Sequence, residues 1–155
     1  MENLIEDVEK YVTSYLNDHL DTSFVYHNLA HTQRVVSKAK ELIDESEITE
    51  EDAELLLVGA WFHDIGFTKT IEGHEKQSAI IASEFLKSSK VSDDKISTIS
   101  NIILATEMGY EPKNTLECLI RDADCAHISS KNYEDYASLL RKEWELTKGK
   151  KVSKT

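Results

Sequence analysis

The sequence has few residues that break regular structure, and it has no long hydrophobic segment. It contains one proline and five glycines in 155 residues. The longest apolar run, LLLVGAWF at 55–62, is far shorter than the roughly 20 residues that a membrane-spanning helix needs. A composition of 40% hydrophobic and 30% charged residues is typical of a folded globular chain. We therefore expect one domain over 1–148, followed by a flexible basic tail at 149–155.

Basic residues are in the minority, with 18 Lys and Arg against 29 Asp and Glu, and the formal net charge is −11. Such a chain is not expected to bind nucleic acid polymers or anionic membranes through bulk charge. A small phosphorylated ligand is still compatible with this charge, because a bound metal ion can reverse the local potential. The first residues, MENLIEDVEK, are acidic and amphipathic, unlike a signal peptide. We therefore expect a cytoplasmic protein.

Cysteine is also scarce, with only Cys118 and Cys125 present. If both lie on one helix, they are roughly 10 Å apart along its axis. A disulfide requires Cα atoms within about 7 Å of each other. We expect two buried free thiols, as in a reducing compartment.

Helical periodicity runs through almost the whole sequence, because apolar residues recur every three or four positions. This pattern predicts an all-α bundle of about seven helices joined by short loops. The apolar positions that define the helices are Leu4, Val8, Tyr11 and Tyr15; Val35, Ala39, Leu42 and Ile43; 55–62; Ala79, Ala82, Phe85 and Leu86; Ile96, Ile99, Ile103 and Thr106; Leu116, Leu119, Ile120 and Ala123; and Tyr133, Tyr136, Ala137, Leu140 and Trp144.

The third of these helices is predicted to be the buried centre of the bundle, because 55–62 is apolar on all sides. Thr49 begins it with a Thr-Glu-Glu-Asp pattern typical of an N-cap. Gly66 is expected to end it in a left-handed conformation. Ser92 is a candidate N-cap for the fifth helix, and both tryptophans, Trp61 and Trp144, are expected to pack in the core.

Four polar residues fall at helix ends or on faces expected to turn inward: His31, His63, Asp64 and Asp124. Burying such groups is unfavourable without a partner. A divalent cation is a suitable partner, because imidazole and carboxylate are common ligands for Zn, Mn, Fe, Co and Ni. Taken singly, each residue has an ordinary alternative: a capping histidine, a solvated helix end, or a carboxylate paired with Arg121.

The order of these residues resembles the HD superfamily of metal-dependent phosphohydrolases. Four segments carry the resemblance in sequence order: YHNLAHTQRVV at 26–36, AWFHDIGF at 60–67, GHEKQSAIIASEFL at 73–86 and IRDADCAHIS at 120–129. The similarity extends over about 26–130, which is most of the chain. It implies an all-helical fold, one divalent metal ion and hydrolysis of phosphate esters.

The resemblance also implies a ligand set. His31, His63, Asp64 and Asp124 match the family's metal ligands, with the second aspartate of DAD favoured over Asp122. His63 and Asp64 are also the candidate catalytic residues. In that interpretation Asp64 both binds the metal and orients, or takes a proton from, the attacking water.

Three residues are candidates for binding the substrate. His74 matches a further histidine that contacts substrate or a second metal in many members of the family. Lys69 follows the HD helix and Arg34 lies three residues after His31, so either could hold a phosphate. Most lysines in such loops are merely solvated, and a salt bridge to a neighbouring acid explains Arg34 equally well.

Three further residues are candidates to support the ligands or to bind a second metal. These are His27, Glu107 and Asp122, and His27 is explained equally well as a loop residue packed on Tyr26. His19 and His127 are interpreted as structural.

Dinuclear members of the family, including di-iron oxygenases, usually carry another histidine on the next helix. This chain has ISNIILATEMGY there, without a histidine, which favours a single metal. The alternatives that stay open are a di-iron oxygenase and a non-catalytic nucleotide-sensing module. The identity of the metal (Mn, Co, Ni, Fe, Zn or Mg), the substrate and the formation of a homodimer are also left open by the sequence.

Overall fold

The structure, a computed structural model, describes residues 2–24, 26–125 and 133–147. Within these ranges the chain forms seven α-helices, one short 3-10 helix and no strand. The helices are α1 (Glu2–His19), α2 (Leu29–Asp44), α3 (Glu50–Phe62), α4 (His74–Ser88), α5 (Asp93–Leu104), α6 (Thr115–Asp124) and α7 (Tyr133–Thr147), and the 3-10 helix is Ile65–Thr68. The predicted all-α bundle is confirmed. His127 and the predicted tail at 149–155 lie outside the described residues.

Helix α3 is the centre of the bundle, as its sequence predicted. Every residue from 54 to 62 is buried, and α1, α2, α4, α5 and α6 all pack against this helix. Thr49 caps its N-terminus, because its hydroxyl accepts a hydrogen bond from the Asp52 amide at 3.1 Å. Ser92 caps α5 in the same way through the Lys95 amide. None of the described helices combines the length and apolar character required to cross a bilayer.

The prediction that Gly66 ends α3 in a left-handed conformation is wrong. Helix α3 ends at Phe62, and Gly66 lies inside the 3-10 helix. Two other glycines have a positive φ: Gly73, the N-cap of α4, at 71°, and Gly109 at 85°. Gly66 is required for a different reason: a Cβ atom there would lie 1.9 Å from the carbonyl oxygen of His74. Glycine at this position therefore allows close packing between two backbone segments.

Two predictions of burial are also wrong. Cys118 and Cys125 are exposed, because α6 turns Leu116, Ile120 and Ala123 inward and the thiols lie on its other side. Trp144 is 60% exposed, whereas Trp61 is buried as expected. On α7 the buried positions near Trp144 are Glu143 and Thr147, four residues apart on one face.

Glu117 organises the segment that leads into α6. Its buried carboxylate accepts hydrogen bonds from the Tyr110 hydroxyl, the Lys113 amide and the Asn114 side-chain amide, at 2.9, 2.9 and 3.2 Å. Asn114 in turn accepts from the Glu117 amide and caps α6. These reciprocal hydrogen bonds fix the start of α6, the helix that ends at Asp124.

We expect Glu117→Ala to lower the free energy of unfolding by about 1–3 kcal/mol, because it leaves several donors without an acceptor. Urea unfolding followed by circular dichroism measures this change. Glu111→Ala, on an exposed glutamate in the same segment, is the matched control and should change the stability far less. Equal effects of the two substitutions would contradict the assigned role of Glu117.

Candidate metal centre

The His63-Asp64 dipeptide connects α3 to the 3-10 helix and is held there by α4. The Ser78 hydroxyl donates to the His63 carbonyl at 2.9 Å and accepts from the Gly66 amide at 2.7 Å. Both backbone groups are buried, so Ser78 satisfies polar groups that the end of α3 leaves unpaired. The connection is therefore fixed from both sides of Asp64.

The orientation of the His63 ring is set by its own helix. Its Nδ1 donates to the Ala60 carbonyl oxygen at 2.7 Å, and the side chain is completely buried. In the neutral ring the other nitrogen, Nε2, then carries the lone pair. Nε2 lies 3.1 Å from Asp64 Oδ2 and 3.3 Å from Asp124 Oδ1.

His31 approaches the same carboxylates from the first turn of α2. Asn28 caps this helix by accepting from the His31 amide at 3.3 Å. His31 Nε2 lies 3.2 Å from Asp124 Oδ1, at the end of α6, and 3.3 Å from Asp64 Oδ2. Two helices, α2 and α6, and the connection that follows α3 thus contribute to a single cluster.

The ligand atoms of His31, His63, Asp64 and Asp124 all lie within 4.8 Å of one another. His63 Nε2 and Asp64 Oδ2 are buried and have no hydrogen-bond partner. Buried polar atoms in this state are costly unless an ion or another group satisfies them. Two imidazoles and two carboxylates are a donor set that divalent metals accept. The four residues therefore fit a metal ion.

Electrostatics within the cluster couple the four groups. Burial alone would lower the pKa values of His31 and His63, but the contacts with Asp64 and Asp124 outweigh it and raise both. Burial would raise the pKa values of Asp64 and Asp124, but the neighbouring histidines outweigh it and lower both. Without a metal, the carboxylates therefore favour the protonated imidazoles, and a metal ion has to compete with those protons.

We expect the stability of the metal-free protein to be greatest at intermediate pH, whereas its metal affinity should rise continuously with pH. The histidine contribution to stability is complete below the unfolded pKa of about 6.5 and is lost as pH rises through the higher folded values. The aspartate contribution is present above about 3.9 and is lost as pH falls through the lower folded values. The metal-free cluster therefore stabilises the fold most between these limits.

Metal binding should instead strengthen as pH rises, by up to about tenfold per pH unit for each proton released. Calorimetric titration with Mn²⁺ in buffers of different ionisation enthalpy counts those protons. Binding that releases no proton between pH 6 and 8 would contradict the coupling described above.

His74 contacts the cluster from outside. Its Nε2 donates to the second oxygen of Asp64, Oδ1, at 3.2 Å, and lies 3.5 Å from Glu75 Oε2. The ring stacks on Phe67 with centroids 3.8 Å apart. Burial opposes the charged form of His74, but the Asp64 contact raises its pKa overall. Asp64 therefore has one oxygen in the cluster and the other on His74.

Three other predicted site residues, Arg34, Lys69 and His27, have different surroundings. Arg34 lies over the Tyr26 ring, 6.0 Å from its centroid, and Tyr26 packs against His31. Lys69 is half-buried and follows the 3-10 helix directly. The His27 ring lies beside the His31 ring, with centroids 5.3 Å apart, but its Nδ1 contacts Glu143 of α7.

Glu107 and Asp122 are exposed and do not belong to the four-residue cluster. Arg121, the alternative partner considered for Asp124, donates to the backbone carbonyls of Ala105 and Glu107 at 2.7 and 2.9 Å. It therefore joins α6 to the end of α5. His19 lies at the end of α1 against Tyr15, with ring centroids 4.6 Å apart.

Two residues with buried contacts in or beside the site were missed by sequence reasoning. Ser78 lies four residues after His74 in the segment GHEKQS, where a serine carries no specific signal. Glu143 lies in RKEWEL, where an acidic residue at a helix surface is the ordinary expectation. Only contacts distant in sequence, 12–15 residues for Ser78 and 116–117 for Glu143, reveal their roles.

Comparison with known proteins agrees with this geometry. The family model of the HD domain matches residues 28–128, which include all four cluster residues. No curated protein and no solved structure matches the chain significantly. The matched region is more than half of the chain, it is all-helical within the described residues, and it brings the His, His-Asp and Asp groups together. The chain belongs to the HD domain family.

Proposed function

We propose that this protein is a metal-dependent phosphohydrolase that cleaves a phosphate ester in a small molecule, with a nucleotide as the favoured substrate class. The observation that carries this proposal is the largely buried cluster of two histidines and two aspartates, in which His63 Nε2 and Asp64 Oδ2 have no hydrogen-bond partner. The HD domain family, whose members are generally metal-dependent hydrolases, supports the same reaction class.

His31, His63, Asp64 and Asp124 would hold the ion. A divalent ion in such a site lowers the pKa of a coordinated water toward neutrality and offsets negative charge on a phosphoryl group. Residues that do not bind the metal fix the orientation of the ligands. The hydrogen bond from His63 Nδ1 to the Ala60 carbonyl is one such contact.

Asp64 is assigned a second role, in orienting the attacking water and accepting its proton. Its Oδ1 is directed to His74 Nε2, so the two carboxylate oxygens are in different environments. The His74 contact keeps the carboxylate from rotating and favours its ionised form. His74 is itself partly exposed, which leaves it accessible to a substrate phosphate.

Phosphate recognition is assigned to His74, Lys69 and Arg34. Each can carry positive charge in a chain whose formal net charge is −11. A few cationic groups beside a metal suit a small anion, whereas a nucleic acid polymer would require an extended basic surface. The proposed ligand is therefore a small phosphorylated molecule.

A screen of phosphomonoesters and phosphodiesters, including nucleoside monophosphates and cyclic nucleotides, tests the proposal. Each substrate is incubated with the protein and Mn²⁺, Co²⁺, Ni²⁺, Mg²⁺, Zn²⁺ or Fe²⁺, and metal content is measured in parallel. We expect turnover with at least one metal and loss of turnover after chelation. Tight nucleotide binding without turnover would identify a sensing module, and two irons per chain with oxygen consumption would identify an oxygenase.

A further inference from the structure

Helix α7 contacts the segment that precedes α2 through a buried carboxylate, Glu143, which is 3% exposed. Its Oε1 accepts hydrogen bonds from the backbone amides of Tyr26 and His27, at 2.9 and 2.6 Å. Its Oε2 lies 2.5 Å from His27 Nδ1. An ionised carboxylate only accepts hydrogen bonds, so Nδ1 is the donor in this contact. A single side chain therefore satisfies three donors of the segment that precedes α2.

The segment held by Glu143 is in contact with a predicted metal ligand. The Tyr26 ring lies 4.8 Å from the His31 ring, and the His27 ring meets the same ring edge-on at 5.3 Å. The Asn28 amide donates to the Tyr26 carbonyl, and Asn28 then caps α2, whose first turn carries His31. The start of α2 and the His31 ring are thus both supported by Tyr26 and His27.

The His27 ring also contacts residues on the Asp64 side of the candidate metal centre. The His27 ring lies 4.8 Å from the Phe67 ring, and Phe67 stacks on His74 at 3.8 Å. His74 is the residue that holds Asp64 Oδ1. A row of rings therefore connects the Glu143 carboxylate with both His31 and the histidine that orients Asp64.

We propose that Glu143 is a positioning residue for the metal centre, which holds Tyr26 and His27 so that His31 keeps its orientation toward Asp64 and Asp124. This inference rests on the metal binding in the proposed function. Glu143 lies outside residues 28–128, the region that the HD domain model matches. Partners that orient metal ligands commonly change metal affinity by about 10–100-fold when they are removed.

A purely structural role for Glu143 makes a different prediction. If the contact only attaches α7 to the bundle, its loss should lower the free energy of unfolding and leave the metal affinity of the folded protein unchanged. The two roles are therefore separated by measuring affinity and stability on the same variants.

The test compares Glu143→Gln and Glu143→Ala with Glu145→Gln in the full chain. Glutamine keeps the size and one acceptor oxygen but loses the charge and one of the two acceptors. Glu145 is exposed on the same helix, so its substitution is a matched control for the change in charge. The measurements are Mn²⁺ affinity by calorimetry, hydrogen exchange of the Tyr26 and His27 amides, and the NMR signals of the His31 ring in the metal-free protein.

We expect Glu143→Gln to weaken Mn²⁺ binding by about tenfold or more, to speed exchange at both amides and to shift the His31 ring signals. Glu145→Gln should match the original protein in all three. Unchanged affinity and unchanged His31 signals in a folded Glu143→Gln variant would overturn the proposal, even if the unfolding temperature falls. If Glu143→Ala does not fold, Glu143→Gln decides the question.

Failure of the proposed function gives a different result. A protein that binds Mn²⁺ but cleaves no phosphate ester contradicts the phosphohydrolase proposal and leaves the affinity test of Glu143 intact. If the original protein binds no divalent metal, the His31 ring signals in the metal-free variants still decide whether Glu143 positions that ring.

Discussion

Asp64→Asn and His63→Ala should each abolish metal-dependent hydrolysis while leaving the helical circular dichroism largely unchanged. Asparagine keeps the volume of Asp64 but removes the charge that lies 3.1 Å from His63 Nε2 and 3.3 Å from His31 Nε2. Alanine at 63 removes one of the two imidazoles. Since loss of a partner outside the ligands already costs about 10–100-fold in affinity or activity, loss of a ligand should exceed a hundredfold.

The N-terminal helix offers a matched control for this experiment. Asp18 and His19 form another acid–histidine pair, exposed at the end of α1. Asp18→Asn and His19→Ala make the same chemical changes outside the cluster and should preserve activity. Metal-dependent turnover at the original rate in either site variant would exclude the proposed mechanism.

Gly66→Ala is expected to lower the free energy of unfolding by more than about 3 kcal/mol, above the usual cost of overpacking. The new Cβ would lie 1.9 Å from the His74 carbonyl oxygen and 2.8 Å from the Ser78 amide nitrogen. Both atoms belong to the backbone of α4, so relief requires movement of the helix. Such movement would also displace His74 from Asp64, and we expect metal affinity to fall together with stability.

Gly59→Ala is the informative comparison for this substitution. Its Cβ would lie 2.5 Å from Ile102 Cγ2, which belongs to a side chain, and alanine is favoured over glycine inside a helix by about 1 kcal/mol. We expect a smaller loss of stability and an unchanged metal affinity for Gly59→Ala, as measured by urea unfolding and calorimetry. If Gly66→Ala were no more destabilising than Gly59→Ala, the close approach of α4 would not be a rigid constraint.

Much of the fold was predictable from local pattern. The period of apolar residues predicted seven helices, and the uniformly apolar 55–62 predicted the buried centre. Caps such as Thr49 and Ser92 were also predictable, because a cap is a contact between residues three positions apart. Apolar periodicity failed at Trp144, which is 60% exposed, and the usual burial of free cysteine failed at Cys118 and Cys125.

The candidate site was predictable only as a set of residue types in a family-like order. Sequence order cannot state that atoms from α2, the end of α3 and the end of α6 lie within 4.8 Å of one another. Sequence order also does not reveal that one carboxylate oxygen of Asp64 lies in the cluster while the other contacts His74. These relations depend on helix packing, which places residues of distant sequence position side by side.

By itself, the sequence therefore determined the helices, their buried faces and the chemical groups available to a metal, since these follow from neighbours within a few residues of each other. The tertiary structure decided which of those groups meet and what holds them. It gave Gly66 its packing role against α4, and it gave Ser78 and Glu143 their roles in supporting His63, Tyr26 and His27. The physical reason is that a buried polar group takes its partner from whatever the packed helices bring near it, at any separation along the chain.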